Sequence, residues 1–249
     1  MADLAGSFDD AWVRFVESAT VRLASEGPDP AWTAGRAQYL TFLVRPDGRA
    51  ARDYIERTIE RLSVVPGIEP FPDWYWHITI KGAGFQVIKR SHDDDVLRQD
   101  VARIAGNARA VLREQPAYHA RLGPINAFAD VVFLEVHDAG RTRELNAALA
   151  DGLPQLARYP SDGERFLPHV SIARFTSNEH VDEIKAALAA LRSEAPAPAP
   201  SASLSPQRVT LGDRASFPVR RVEFVKAWLS EDPPEFDVLA TYALAAERA

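Results

Sequence analysis

Apolar residues recur at helical spacing over residues 8–24, where Phe8, Trp12, Phe15, Val16 and Leu23 make one stripe. The spacing predicts an amphipathic N-terminal helix, ended by Gly27-Pro28-Asp29-Pro30. Residues 38–44 are a short apolar run rich in Tyr, Thr, Phe and Val, a strand by length and β-propensity. After Pro46-Asp47-Gly48 the helical period returns over 49–63 through Tyr54, Ile55, Ile59 and Leu62, and a second strand is expected over 74–81. A long helix is expected over 93–115, with Asp93, Asp94 and Asp95 at the end where a helix favours carboxylates.

The order then recurs. Strands are expected over 117–128 and 130–136, a helix over 140–157, a strand over 166–175, and a helix over 178–192 capped by Asn178. The alternating Ala-Pro stretch at 195–203 reads as a loop over the cleft. Strands at 208–211 and 221–229 and a short helical tail finish the chain. Strand 38–44, helix 49–63 and strand 74–81 match strand 130–136, helix 140–157 and strand 166–175. Leu43 lies 34 residues before His77, and Phe133 lies 36 before His169. A duplicated β-α-β unit explains the match. Residues 1–35 then form an N-terminal helical extension. Residues 36–249 form a bilobal unit with half-repeats over about 37–128 and 129–249. The fold class is α+β: two pseudo-symmetric lobes with mainly antiparallel sheets, flanking a central cleft.

Composition narrows the chemistry. Among 249 residues there is no cysteine, which excludes disulfides, thiol nucleophiles, thiolate zinc sites and iron–sulfur clusters. The formal charge of −6 opposes binding to long DNA. No leader pattern and no membrane-length apolar run stand in the chain, so a cytoplasmic protein without a membrane partner is expected.

The candidate chemistry sits at the end of each repeat. The first reads Trp76-His77-Ile78-Thr79-Ile80 and the second Pro168-His169-Val170-Ser171-Ile172. Residues i and i+2 of a strand share a face. Each motif therefore sets an imidazole beside a hydroxyl, while Ile78, Ile80, Val170 and Ile172 face the core. Two imidazoles supply the base and the acid that cleavage of a P–O bond requires near neutral pH. Two hydroxyls donate to the non-bridging oxygens. No cofactor or metal is needed. Lys81, four residues beyond His77, is expected near the phosphate, and Tyr75, Tyr39 and Phe133 are candidates for stacking on a base. Gly82 and Gly84 are expected to turn the chain after the strand. His92, His119, His137 and His180 lack the pattern and read as solvated or structural. Arg208, Arg214, Arg220, Arg221 and Lys226 make a locally basic hairpin, read as a solvated edge.

Paired His-x-Thr/Ser motifs in two β-α-β half-repeats resemble the two-histidine (2H) phosphoesterase superfamily, and within it the LigT-like, or 2′-5′ RNA ligase-like, branch. The likeness runs from about residue 37 to 243, and residues 222–244 resemble that branch's closing strand hairpin. The resemblance implies a monomeric, metal-independent phosphodiesterase (a hydrolase) acting on a nucleotide or short RNA with a 2′,3′-cyclic phosphate or a 2′-5′ linkage. It implies that His77 and His169 are the catalytic pair, with His169 as base and His77 as acid, and that Thr79 and Ser171 hold the phosphate oxygens. A phosphodiesterase of 2′-5′ oligonucleotides or cyclic dinucleotides, and a non-catalytic RNA-end or nucleotide binding module, are the rival readings.

Overall fold

The computed structural model describes residues 7–194 and 215–246. Its strands are β1 (Gln38–Val44), β2 (Ile68–Pro70), β3 (Ile78–Val87), β4 (Asp95–Leu97), β5 (Tyr118–Ala127), β6 (Val131–His137), β7 (His169–Phe175), β8 (Ser216–Val219), β9 (Arg221–Trp228) and β10 (Glu235–Ala243). The helices are α1 (Phe8–Glu17), α2 (Pro30–Thr33), α3 (Arg49–Leu62), α4 (Val101–Leu112), α5 (Arg141–Gly152) and α6 (Val181–Glu194). The strands form two five-stranded sheets, ordered β10-β9-β1-β3-β4 and β2-β7-β6-β5-β8. Neighbours are antiparallel apart from the short parallel pair β3 and β4. The halves are interlocked. Helix α3 follows β1 of the first sheet but packs on β2, β5, β7 and β8 of the second, while α5 follows β6 of the second and packs on β3 of the first.

The two motif strands share one irregularity. Thr79 pairs with Leu43 but Lys81 pairs with Phe42, so Ile80 is a bulge. Ser171 pairs with Phe133 but Ala173 pairs with Val132, so Ile172 is a bulge at the same place. A bulge sets two residues against one and breaks the alternation of faces. Each bulged carbonyl is satisfied from outside its strand pair: Ile80 O accepts from Asn146 Nδ2 at 2.7 Å, and Ile172 O accepts from Phe71 N at 2.8 Å. Ile78, Ile80, Val170 and Ile172 are fully buried, as expected from the alternation before the bulge.

Several local expectations give way to long-range contacts. The first helix stops at Glu17. The following segment is extended and bound by Asn178, whose side chain bonds both the N–H and the carbonyl of Val21 at 2.8 and 3.0 Å instead of capping a helix. Asp93, Asp94 and Asp95 do not open a helix: Asp95 begins β4, and Arg36 bonds Asp94 and Asp95 at 2.5 and 2.6 Å. Helix α4 begins only at Val101. Gly82 and Gly84 lie inside β3 rather than in a turn after it. Gly84 has φ +125°, and a Cβ there would stand 2.2 Å from Asp94 O, so glycine is what lets β4 close on β3. The expected helical tail is strand β10, which pairs with β9 in the hairpin that the family resemblance implies. The Ala-Pro stretch, the strand expected over 208–211, and Arg208 and Arg214 of the basic hairpin lie outside the described residues. Of the rest, Arg221 and Lys226 pair with Asp47 and Asp237.

Candidate active site

Each histidine is set by a turn entering its strand. His77 follows a 3-10 turn at Asp73–Tyr75, which replaces the start of the expected strand, and its Nδ1 lies 2.6 Å from Tyr75 O. His169 follows a 3-10 turn at Gly163–Arg165, and its Nδ1 lies 2.7 Å from Leu167 O. A carbonyl only accepts, so each Nδ1 carries the proton and donates it. Both Nε2 atoms are thereby left as the positions of proton exchange.

Aromatic rings hold the imidazoles in matching ways. His77 meets Tyr75 and Phe236 edge-on at 5.3 and 5.0 Å, and those two rings stack at 5.6 Å. His169 meets Phe128 and Phe133 at 5.1 and 5.0 Å, and those rings touch at 4.3 Å. Burial in these cages disfavours the imidazolium. Desolvation is the largest influence on His77, joined by repulsion from Arg45 and from His169, and its pKa falls to about 4. Desolvation also lowers the pKa of His169, there opposed by its bond to Leu167 O and by Asp130. The strands that carry the two motifs, β3 and β7, are in contact.

A cavity of about 1050 Å³ is lined in part by Tyr75, Ser171, Asp130 and Arg174, and by neither imidazole nor Thr79. Thr79 and Ser171 are half-buried. His77, His169, Ser171 and Tyr75 are thus together, with Thr79 on the face of its partner Leu43.

The other three candidates do not line the cavity. The bulge at Ile80 puts Lys81 opposite Phe42, off the row of Thr79. Lys81 is fully buried, paired with Asp162 at 2.9 Å and donating to Gly82 O and Ala157 O. Burial lowers the pKa of its ammonium, against the pull of Asp162. Tyr39 is at the far end of β1, packed by Trp32, Phe85 and Tyr159. Phe133 is 0% exposed and backs the His169 ring, so no base can stack on it.

Sequence reasoning missed Arg45 and Asp130. Arg45 closes β1, donates to Trp74 O at 2.5 Å and Trp76 O at 3.4 Å, and lies over the Phe236 ring. Asp130 stands in the tight turn between β5 and β6. The usable signal was position: each immediately flanks a strand of the duplicated unit. Among the remaining histidines, His92 bonds Ser91, His137 bonds Glu135 and His180 faces Glu183, while His119 is exposed. The described residues contain no group of three or more metal-ligating side chains. None of their helices is long and apolar enough to cross a membrane.

The family model of the 2′-5′ RNA ligase superfamily matches residues 51–226. No curated protein matches the chain. Solved structures share the fold at low identity. TT0787 of Thermus thermophilus is 20% identical with a TM-score of 0.57, covering 84% of this chain and 100% of its own. Apo LigT of E. coli is 13% identical with a TM-score of 0.53, covering 86% and 99%. LigT complexed with 3′-AMP is 17% identical with a TM-score of 0.52, covering 84% and 99%.

Proposed function

Since the chain belongs to the 2′-5′ RNA ligase superfamily, we propose that its paired histidines hydrolyse a ribonucleotide phosphodiester, a 2′,3′-cyclic phosphate or a 2′-5′ linkage, without a metal ion. One observation carries this reading. The same device occurs twice: Nδ1 tied to a carbonyl two residues back, Nε2 left for proton exchange, and a hydroxyl two residues on. On this reading residues 36–249 are the bilobal catalytic unit and residues 1–35 an addition to it. The 3′-AMP complex of LigT, which shares the fold, supports a nucleotide as the ligand.

Water attacks phosphorus as one Nε2 removes its proton. The bond from phosphorus to the leaving ribose oxygen breaks as the other Nε2 gives that oxygen a proton, and a phosphomonoester and a free hydroxyl result. Thr79 and Ser171 donate to the non-bridging oxygens, where charge builds in the transition state. The direction follows from where the proton rests beforehand. Burial lowers both pKa values, but Asp130 opposes the shift at His169 while Arg45 adds to it at His77, so a proton rests more readily on His169. His169 is then the acid and His77 the base, the reverse of the order that the family resemblance implies.

The first test is chromatography of 2′,3′-cyclic nucleotides and a 2′-5′ dinucleotide incubated with the protein in EDTA. Turnover that His77→Ala and His169→Ala each abolish is expected. Turnover surviving both substitutions moves the chemistry elsewhere. Binding of 3′-AMP with no turnover of any substrate makes the protein a nucleotide-binding module.

A further inference from the structure

The N-terminal segment does not lie beside the cleft; it crosses it. At one end α1 lays Phe8 and Ala11 against Phe133, the ring that backs His169. At the other, Trp32 packs edge-on against Tyr39 and Phe85 at 5.0 and 4.9 Å. Strand alternation puts Tyr39 on the same face of β1 as Leu43, the partner of Thr79. The segment therefore runs from the His169 face of one sheet to the Thr79 face of the other, and residues 22–25, 27–29, 31 and 32 line a cavity with Tyr75, Ser171 and the turn between β9 and β10.

Both ends are fastened. Phe15 is buried and stacks on Phe175 at 5.9 Å, and Arg22 N donates to Ala129 O at 2.7 Å. Arg36 bonds Asp94 and Asp95 and lies 3.8 Å over the Phe85 ring. The crossing segment is a fixed wall.

The wall's charge sets it apart from a nucleic-acid groove. The cavity's lining includes the acidic Asp29, Asp130, Glu231 and Asp232 and the basic Arg22 and Arg174. Arg174 is already paired with Glu69 and Asp232, and Arg22 donates to Gly27 O at 2.6 Å. A second phosphate entering here would meet an excess of negative charge at short range. Carboxylates do accept from ribose hydroxyls and base amino groups, and Trp32, 37% exposed, offers a ring. A volume of about 1050 Å³ is at the top of the range for small-molecule sites, roughly 300–1,000 Å³.

We propose that the segment across the cleft walls a carboxylate-lined subsite for one uncharged terminal nucleoside, whose charge disfavours a further phosphate, so that the protein cleaves only the linkage next to that end of its substrate. This rests on the phosphodiesterase reading above and specifies its substrate as a dinucleotide or a chain end.

The test is wild-type protein with a 2′-5′-linked tetraadenylate bearing free hydroxyls at both ends, and with a phosphate added to one end or the other. Early products should be nucleotides released singly from one end, and a phosphate at that end alone should slow release about tenfold or more. Trp32→Ala should weaken binding of the dinucleotide about tenfold, the scale of one stacked base. Cleavage from the middle of the chain, or equal indifference to both terminal phosphates, overturns the inference and leaves the phosphodiesterase standing. If no linkage is cut, that function falls, and calorimetry with the same oligomers decides on the subsite alone. Weaker binding of one phosphorylated form sustains it, and equal binding of both rejects it.

Discussion

The first half of the molecule sets its motif strand opposite β1 and the second half opposite β6, with the same bulge one residue past the hydroxyl. Around that shared frame the two halves diverge. Arg45 stands near His77 and Asp130 near His169, and the position after the bulge is Lys81 in one half and Ala173 in the other. Duplication supplies two equivalent imidazoles, but acid–base chemistry needs two unequal ones, and flanking charges can make them so without disturbing the frame.

The largest test of that inequality is chemical. His77→Ala and His169→Ala should each lower kcat about 10²–10⁴-fold, the span for a general acid or base. A substrate whose leaving oxygen is replaced by sulfur needs no proton to depart. It should restore turnover to His169→Ala and not to His77→Ala. Rescue of the other variant instead would reverse the roles given to the two halves.

Next comes the position after the bulge. Lys81→Met removes a fully buried ammonium from its pair with the half-buried Asp162. Breaking a buried pair on one side costs about 3–5 kcal/mol, read as a lower midpoint in thermal unfolding, while KM for a cyclic nucleotide stays unchanged. A raised KM with unchanged stability would return Lys81 to the phosphate. Smaller still, Thr79→Ala and Ser171→Ala should each cost about 10²-fold in kcat, as for a lost oxyanion donor, with Thr79→Ser close to wild type. A deficit in only one of the two would show that a single hydroxyl carries the transition-state charge.

Much of this site was legible in the residues. The spacing from Leu43 to His77 and from Phe133 to His169 located the duplication, and the observed partners of Thr79 and Ser171 are Leu43 and Phe133 themselves. Alternation buried Ile78, Ile80, Val170 and Ile172. The same alternation, carried two residues further, misplaced Lys81. A bulge changes the face of every residue after it, and Ile80 looks like any other strand isoleucine. The acidic run at 93–95 misled for another reason: its partner, Arg36, is more than fifty residues away. The depth of Tyr39 and Phe133 is not legible in the sequence, because the rings that cover them, Trp32 and Phe8, come from an N-terminal segment whose path no local pattern encodes.

Arg45 gives the finest test of the comparison between halves. Turnover at low substrate requires His77 neutral and His169 protonated in the free protein, so kcat/KM should follow a bell. Both pKa values are lowered from 6.5, His77 to about 4. The acidic limb therefore belongs to His77, the alkaline limb to His169, and the maximum falls on the acid side of pH 6.5. Desolvation is the main cause at His77 and survives any change at Arg45, so Arg45→Gln, which removes the repulsion and also the ion pair of Arg45 with Glu223 at 3.4 Å, should move the acidic limb upward by less than about one pH unit. The alkaline limb should stay in place, because His169 answers to its own burial, Leu167 O and Asp130. Arg45 also bonds the carbonyls of Trp74 and Trp76 on either side of Tyr75, so a purely structural loss would lower the whole profile without shifting it. An upward shift of one limb alone separates the two, and movement of both limbs together would mean that the imidazoles titrate as a single coupled pair.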